Sequence, residues 1–133
     1  QSKQLHHGAC ACKEIQFSFT GEPRFVSDCV CQSCRMAHGA TVVSWVGVSN
    51  EQFILKTGTE FLQWYESSPA TERGFCKQCG TRLLFRSSKW SEETHMALAC
   101  ISEPHDLLST GVHCAQEFPR WSYFHLPQDV GKG

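Results

Sequence analysis

A mostly β, single-domain fold is what this sequence predicts, and three observations predict it. Polar and apolar residues alternate from Glu14 to Thr20. Short runs rich in Val, Phe, Trp and Ile recur along the chain, separated by Gly, Pro and Ser. Nowhere do apolar residues repeat at helical spacing for more than a turn or two. At 133 residues the chain has the length of one domain, and no repeat, linker or low-complexity run divides it. The expected domain covers residues 5–126, with residues 1–4 and 127–133 as flexible tails.

The elements follow in order. Alternation over Glu14–Thr20 places Ile15, Phe17 and Phe19 on one face of a half-buried strand, and Gly21 and Pro23 end it. Thr41–Val48, rich in Val and carrying Trp45, reads as a second strand. Phe53–Lys56 and Phe61–Tyr65, on either side of Thr57-Gly58, read as a hairpin. Arg82–Arg86, Thr94–Ile101 and Val112–Ala115 are strand-like. Helical turns are expected only near Cys34–Ala37 and Pro104–Leu108.

Charge excludes two classes of partner. The formal net charge is -1, and Lys and Arg are scattered along the chain, so no patch is set up for phosphate and no nucleic acid is expected. No run approaches the roughly 20 apolar residues of a membrane span, and the first residues do not read as a basic and then apolar leader. No membrane association and a cytoplasmic location are therefore expected.

Nine cysteines carry most of the functional signal. A secreted disulfide scaffold is the rival reading, but the count is odd and the residues stand in tight Cys-x-Cys and Cys-x-x-Cys pairs, which suit one metal ion better than bridges. Cys10-Ala11-Cys12 and Cys76-Lys77-Gln78-Cys79, far apart in sequence, can close a tetrahedral four-thiolate zinc shell that staples two β elements. Gly80, after the second pair, leaves room for backbone amides to turn toward the sulfurs.

Cys29, Cys31 and Cys34 form a second constellation. Three thiolates can hold one zinc and leave a position for an exogenous ligand, and such an electron-rich centre suits binding and deprotonating a thiol better than activating water. The spacing alone also allows His38 or another residue to close this site as a structural one, and the seven thiolates can be divided between two ions in other ways.

Neighbouring residues extend the reading. Arg35 can pair with a substrate carboxylate or serve as an exposed arginine. His38 can accept a thiol proton or simply be solvated. Arg73 can orient the substrate or form a salt bridge across the sheet, the structural role being favoured, and Trp45 and Tyr65 can wall the pocket but read first as core aromatics. Cys100 and Cys114 read as small buried hydrophobes, with a spare-ligand role for one of them as the alternative, and His6 and His7 as solvated. His95, His105, His113 and His125 show no ligand spacing.

Taken together, several motifs resemble the glutathione-dependent formaldehyde-activating enzyme family, which also includes centromere protein V. They are Gly8-x-Cys10-x-Cys12; Cys29-x-Cys31-x-x-Cys34-Arg35 with Gly39-Ala40; Trp45; Tyr65 with Ser67-Ser68; and Arg73-x-Phe75-Cys76-x-x-Cys79-Gly80. The resemblance runs from Gly8 to about Trp121, although His113 and Trp121 match the family's C-terminal pattern only loosely.

The resemblance implies a β-tent zinc fold with two Zn2+ ions per chain. One is structural, on Cys10, Cys12, Cys76 and Cys79; the other is catalytic, on Cys29, Cys31 and Cys34, with Arg35 beside it. It implies a carbon-sulfur lyase that joins glutathione and formaldehyde as S-(hydroxymethyl)glutathione, its partner a small thiol such as glutathione. A zinc-structured protein-binding module without catalysis is the alternative.

Overall fold

The computed structural model describes residues 4–127; the remaining parts of the expected tails, residues 1–3 and 128–133, lie outside the described residues. The fold is mostly β, as the alternation predicts. Strands β1 (Leu5–Ala9), β2 (Gln16–Thr20), β3 (Phe25–Cys29) and β4 (Val43–Ser49) are followed by β5 (Phe53–Thr57), β6 (Leu62–Ser68), β7 (Thr71–Cys76) and β8 (Arg82–Ser87). Strands β9 (Glu93–Ala97) and β10 (Val112–His113) complete the set, and a short helix, α1 (Gln32–His38), stands between β3 and β4. No helix of the described residues is long and apolar enough to cross a membrane.

Two sheets form. One has the order β1-β2-β5, the other β10-β3-β4-β9-β8-β7-β6. All pairings are antiparallel except β10 with β3. A bridge between Gly8 and Ile101 ties β1 to the segment that follows β9.

The side chains of the larger sheet alternate between its two faces. Val26, Val46, Met96, Leu84 and Gly74 follow one another across five strands in register. Val26, Val46, Met96 and Leu84 join Ile15, Phe17 and Phe19 of the smaller sheet's side in the main core. The neighbouring row, Phe25, Gly47, His95, Phe85 and Arg73, faces the other way. Gly47 is required there because a Cβ would come within 2.0 Å of the Phe25 ring.

Several expectations need correction. Phe53–Lys56 and Phe61–Tyr65 do not form a hairpin: β5 pairs with β2 and β6 with β7, in different sheets. The reason is local, since Gly58 (φ +85°) leads into a 3-10 turn at Thr59–Phe61 that diverts the chain. Near Pro104–Leu108 there is no helix; the Leu107 amide donates to His105 Nδ1 at 3.1 Å, and Thr110 N donates to Val26 O. Thr94–Ile101 keeps its strand only to Ala97 and then turns through Leu98–Cys100. His6 is not solvated: it lies in β1, buried and stacked on Phe19 at 4.8 Å.

Candidate functional site

The topology assembles the two cysteine groups at different places. Cys10 and Cys12, in the turn after β1, meet Cys76 and Cys79, in the turn between β7 and β8. Cys10 and Cys76 are buried in the main core and Cys79 is exposed. Their sulfurs all lie within 4.8 Å of one another, with Cys10 to Cys12 at 3.6 Å and Cys12 to Cys76 at 3.8 Å. A tetrahedron with metal–sulfur bonds of about 2.3 Å has edges of about 3.8 Å, so this donor set fits a tetrahedral divalent ion.

Hydrogen-bond donors surround these sulfurs. The Ile15 amide reaches Cys10 Sγ at 3.3 Å, the Cys79 amide reaches Cys76 Sγ at 3.5 Å, and Gln78 Nε2 reaches Cys12 Sγ at 3.3 Å. Such bonds spread the negative charge of several thiolates. The amide of Gly80 turns to the Cys76 carbonyl at 2.7 Å and not to a sulfur, closing the turn with Gly80 at φ +82°. Ala11 N donates to Thr81 Oγ1 at 3.0 Å, joining the two turns directly. Burial pushes the Cys10 thiol up to about 11, whereas Cys79 is pushed down to about 5, first by its hydrogen bond with Thr81.

Cys29 ends β3, Cys31 caps α1, and Cys34 lies in the first turn of that helix. The Cys34 amide donates to Cys31 Sγ at 3.3 Å, so the helix start itself holds the sulfur. All three sulfurs lie within 4.8 Å of one another. Cys31 is held well below an ordinary thiol, first by hydrogen bonds from Cys29 and Cys34 and further by the Cys34 amide and the Arg73 charge. Cys29 is pushed up, first by its hydrogen bonds with Cys31 and Cys34.

A cavity of about 350 Å³ opens beside this second group. Its floor is the row of alternate residues on the large sheet, with Phe25, His95, Phe85 and Arg73 in register and Trp45 beside them. Trp90 covers Phe85 and His95 at 6.3 and 5.5 Å between ring centroids. At one side Glu93 accepts from His95 Nε2 at 2.9 Å and from Arg24 Nη1 at 3.1 Å. Burial lowers the His95 pKa against the opposing pull of Glu93.

Sequence adjacency misplaces several residues. Arg35 does not line the cavity; its Nε donates to Val30 O at 2.9 Å and its Nη2 to Glu117 O at 3.1 Å, so the guanidinium ties down the C-terminal segment. His38 is half-buried, edge-on to Trp45 at 5.2 Å, and burial followed by the charges of Arg73 and Arg82 lowers its pKa to about 4. It stays neutral near pH 7 and is a weak base, and it is not among the residues that gather round the three sulfurs.

Arg73, read from sequence as a cross-sheet salt bridge, makes no ion pair among the described residues. Trp45 is buried as expected, and Tyr65 is exposed. Cys100 is half-buried against the main core. Cys114 is not a plain core residue: it lines the cavity, takes a left-handed conformation (φ 62°) and hydrogen-bonds with Cys29.

Glu93, His95 and Cys114 carry no spacing signal and enter the site only through sheet register. A period-two reading of β9 would have placed His95 opposite Met96's core face, and this is the one trace the sequence offers for it.

Comparisons with known proteins agree with this architecture. A crystal structure of a Rhodobacter sphaeroides protein shares the fold with a TM-score of 0.61 at 20% identity, covering 74% of this chain and 90% of that one. An uncharacterized lyase of Schizosaccharomyces pombe is 34% identical over 80 residues, which is 60% of this chain. The match spans 56% of that relative's length. The family model described as glutathione-dependent formaldehyde-activating enzyme matches residues 5–115. The chain therefore belongs to the glutathione-dependent formaldehyde-activating enzyme family.

Proposed function

We propose that this chain is a zinc-dependent carbon-sulfur lyase that makes or breaks the adduct of a small thiol, such as glutathione, with formaldehyde. One observation carries the reading: the molecule holds two unlike cysteine groups, one set into the core and one opening on a cavity. Cys10, Cys12, Cys76 and Cys79 would hold a structural zinc that staples the two turns. Cys29, Cys31 and Cys34 would hold the second ion. Zinc there supplies a position at which a thiol loses its proton and is kept as a nucleophile. Free cysteines in this number suit a reducing compartment, and we place the protein in the cytoplasm.

The chain's own residues then set the conditions for addition. Trp45, Phe85 and Trp90 give the cavity apolar walls that exclude water from a reactive aldehyde and fix the orientation of the reacting groups. In the synthetic direction a bond forms from thiol sulfur to the carbonyl carbon, the carbonyl π bond breaks toward oxygen, and that oxygen takes up the proton that the thiol released. In reverse the S–C bond breaks and the aldehyde leaves. Arg35, bonded to Val30 O and Glu117 O, acts by holding the C-terminal segment against the residues that lead into α1.

The test is exchange between ¹³C-formaldehyde and glutathione followed by carbon NMR. Exchange faster than the spontaneous rate, lost in Cys34→Ser with the fold intact, supports the lyase. An unchanged rate removes it and leaves a zinc-structured protein-binding module.

A further inference from the structure

One group on the cavity wall has no part in the chemistry above, the guanidinium of Arg73. The side chain is 3% exposed, and its Nε and Nη1 have no hydrogen-bond partner among the described residues. Nη2 alone is engaged, donating to Ser33 Oγ at 2.9 Å and to Cys34 Sγ at 3.6 Å. The register neighbours of Arg73 are Tyr65 and Phe85, neither a carboxylate, although the guanidinium lies over the Phe85 ring at 5.0 Å. Glu93, the acid on the same wall, is already shared by Arg24 and His95.

A buried cation with open donors is costly, and native chains rarely leave such groups unmatched. Neutralising the cysteine sulfurs accounts for Nη2 and leaves Nε and Nη1 over. The missing partner is an anion that arrives from outside. Nη2 stands against Cys34 Sγ, and Arg73 lines the same cavity as the three cysteines.

We propose that Arg73 is an anion subsite of this cavity, and that it selects thiols whose carboxylate lies only a short way along the chain from the sulfur. The proposal rests on the thiol reading of the site and moves its preferred substrate from glutathione, whose carboxylates stand farther from the sulfur, to short mercapto acids. A carboxylate satisfies donors that a neutral thiol leaves open, and the aromatic floor takes the carbon chain between the two ends.

The test uses the purified, zinc-loaded protein, with its zinc count checked by native mass spectrometry. Binding is followed by tryptophan fluorescence, to which Trp45 and Trp90 of the cavity contribute alongside Trp64 and Trp121. Mercaptoacetate is expected to bind about tenfold or more tightly than 2-mercaptoethanol, the two differing in a carboxylate and a hydroxyl. Arg73→Gln is expected to erase the difference, and Arg73→Lys, which keeps the charge, to retain part of it.

Equal binding of the two thiols by the wild-type chain overturns the subsite, as does a preference that survives Arg73→Gln. Should Arg73→Gln fail to fold, the wild-type comparison and Arg73→Lys still decide. Acetate separates the two readings. If it binds as tightly as mercaptoacetate and still requires Arg73, the subsite stands and the thiol reading falls.

Discussion

Arg73 Nη2 lies 3.6 Å from Cys34 Sγ, which joins β7 of the large sheet to the cysteine group at the start of α1. The contact places a permanent positive charge against three sulfurs that become more negative as they lose protons, and it is buried enough that solvent screens it weakly. Arg73→Met is therefore expected to weaken metal retention by Cys29, Cys31 and Cys34 by about tenfold, while the four-cysteine group keeps its ion. Competition with a chelator, read as ions per chain, checks this; equal loss from both groups would contradict it.

The two cysteine groups predict opposite responses to the same substitution. Cys76→Ser removes a fully buried cysteine from the main core and, on the proposed reading, the zinc link between the turns after β1 and β7, so the chain should lose its cooperative unfolding transition. Cys34→Ser should leave a folded protein with one ion fewer. Circular dichroism melting with native mass spectrometry separates them, and equal instability of the two variants would refute the division of roles.

Gly47→Ala should cost about 1–3 kcal/mol, because the new methyl meets the Phe25 ring and β4, paired on both sides, cannot move away. Urea denaturation measures the loss. A second substitution, Phe25→Leu, should recover part of it by vacating the space.

Stability should fall as pH drops from about 6.5 toward 4. His38 and His95 both have pKa values below the ordinary histidine value in the folded state, chiefly through burial, so the unfolded chain binds more protons across this window. His38→Gln should flatten the pH dependence of the melting temperature between these limits relative to wild type. An identical profile would show that His38 titrates normally.

Much of the fold could be read from residues that point one way. Ile15, Phe17 and Phe19 announced β2 because that strand buries one complete face. Strands β3 and β7 were missed because one of their faces is the cavity, which puts Ser27 and Arg73 where a core strand would carry Val or Ile. The false hairpin at 53–65 arose because turn residues mark a change of direction without saying which strand follows in the sheet. Likewise the cysteine groups were legible from local spacing, whereas Arg73, Glu93 and His95 meet only through register. Arg35 drew attention by standing next to Cys34 in sequence, yet a helix carries successive side chains apart, and Arg35 points to Val30 and Glu117.

The cavity floor is a single cross-strand row, each residue supplied by a different strand and each strand held by its own backbone ladder. Hydrogen bonds of such a ladder do not depend on which side chain stands at a given rung. Phe85 and His95 can therefore be exchanged one at a time over evolutionary descent without renegotiating strand pairing, so that the choice of substrate can drift while the architecture stays put. Gly47 is the exception, a rung that accepts no side chain while Phe25 lies across it. Changes at these two positions should accordingly travel together through a lineage.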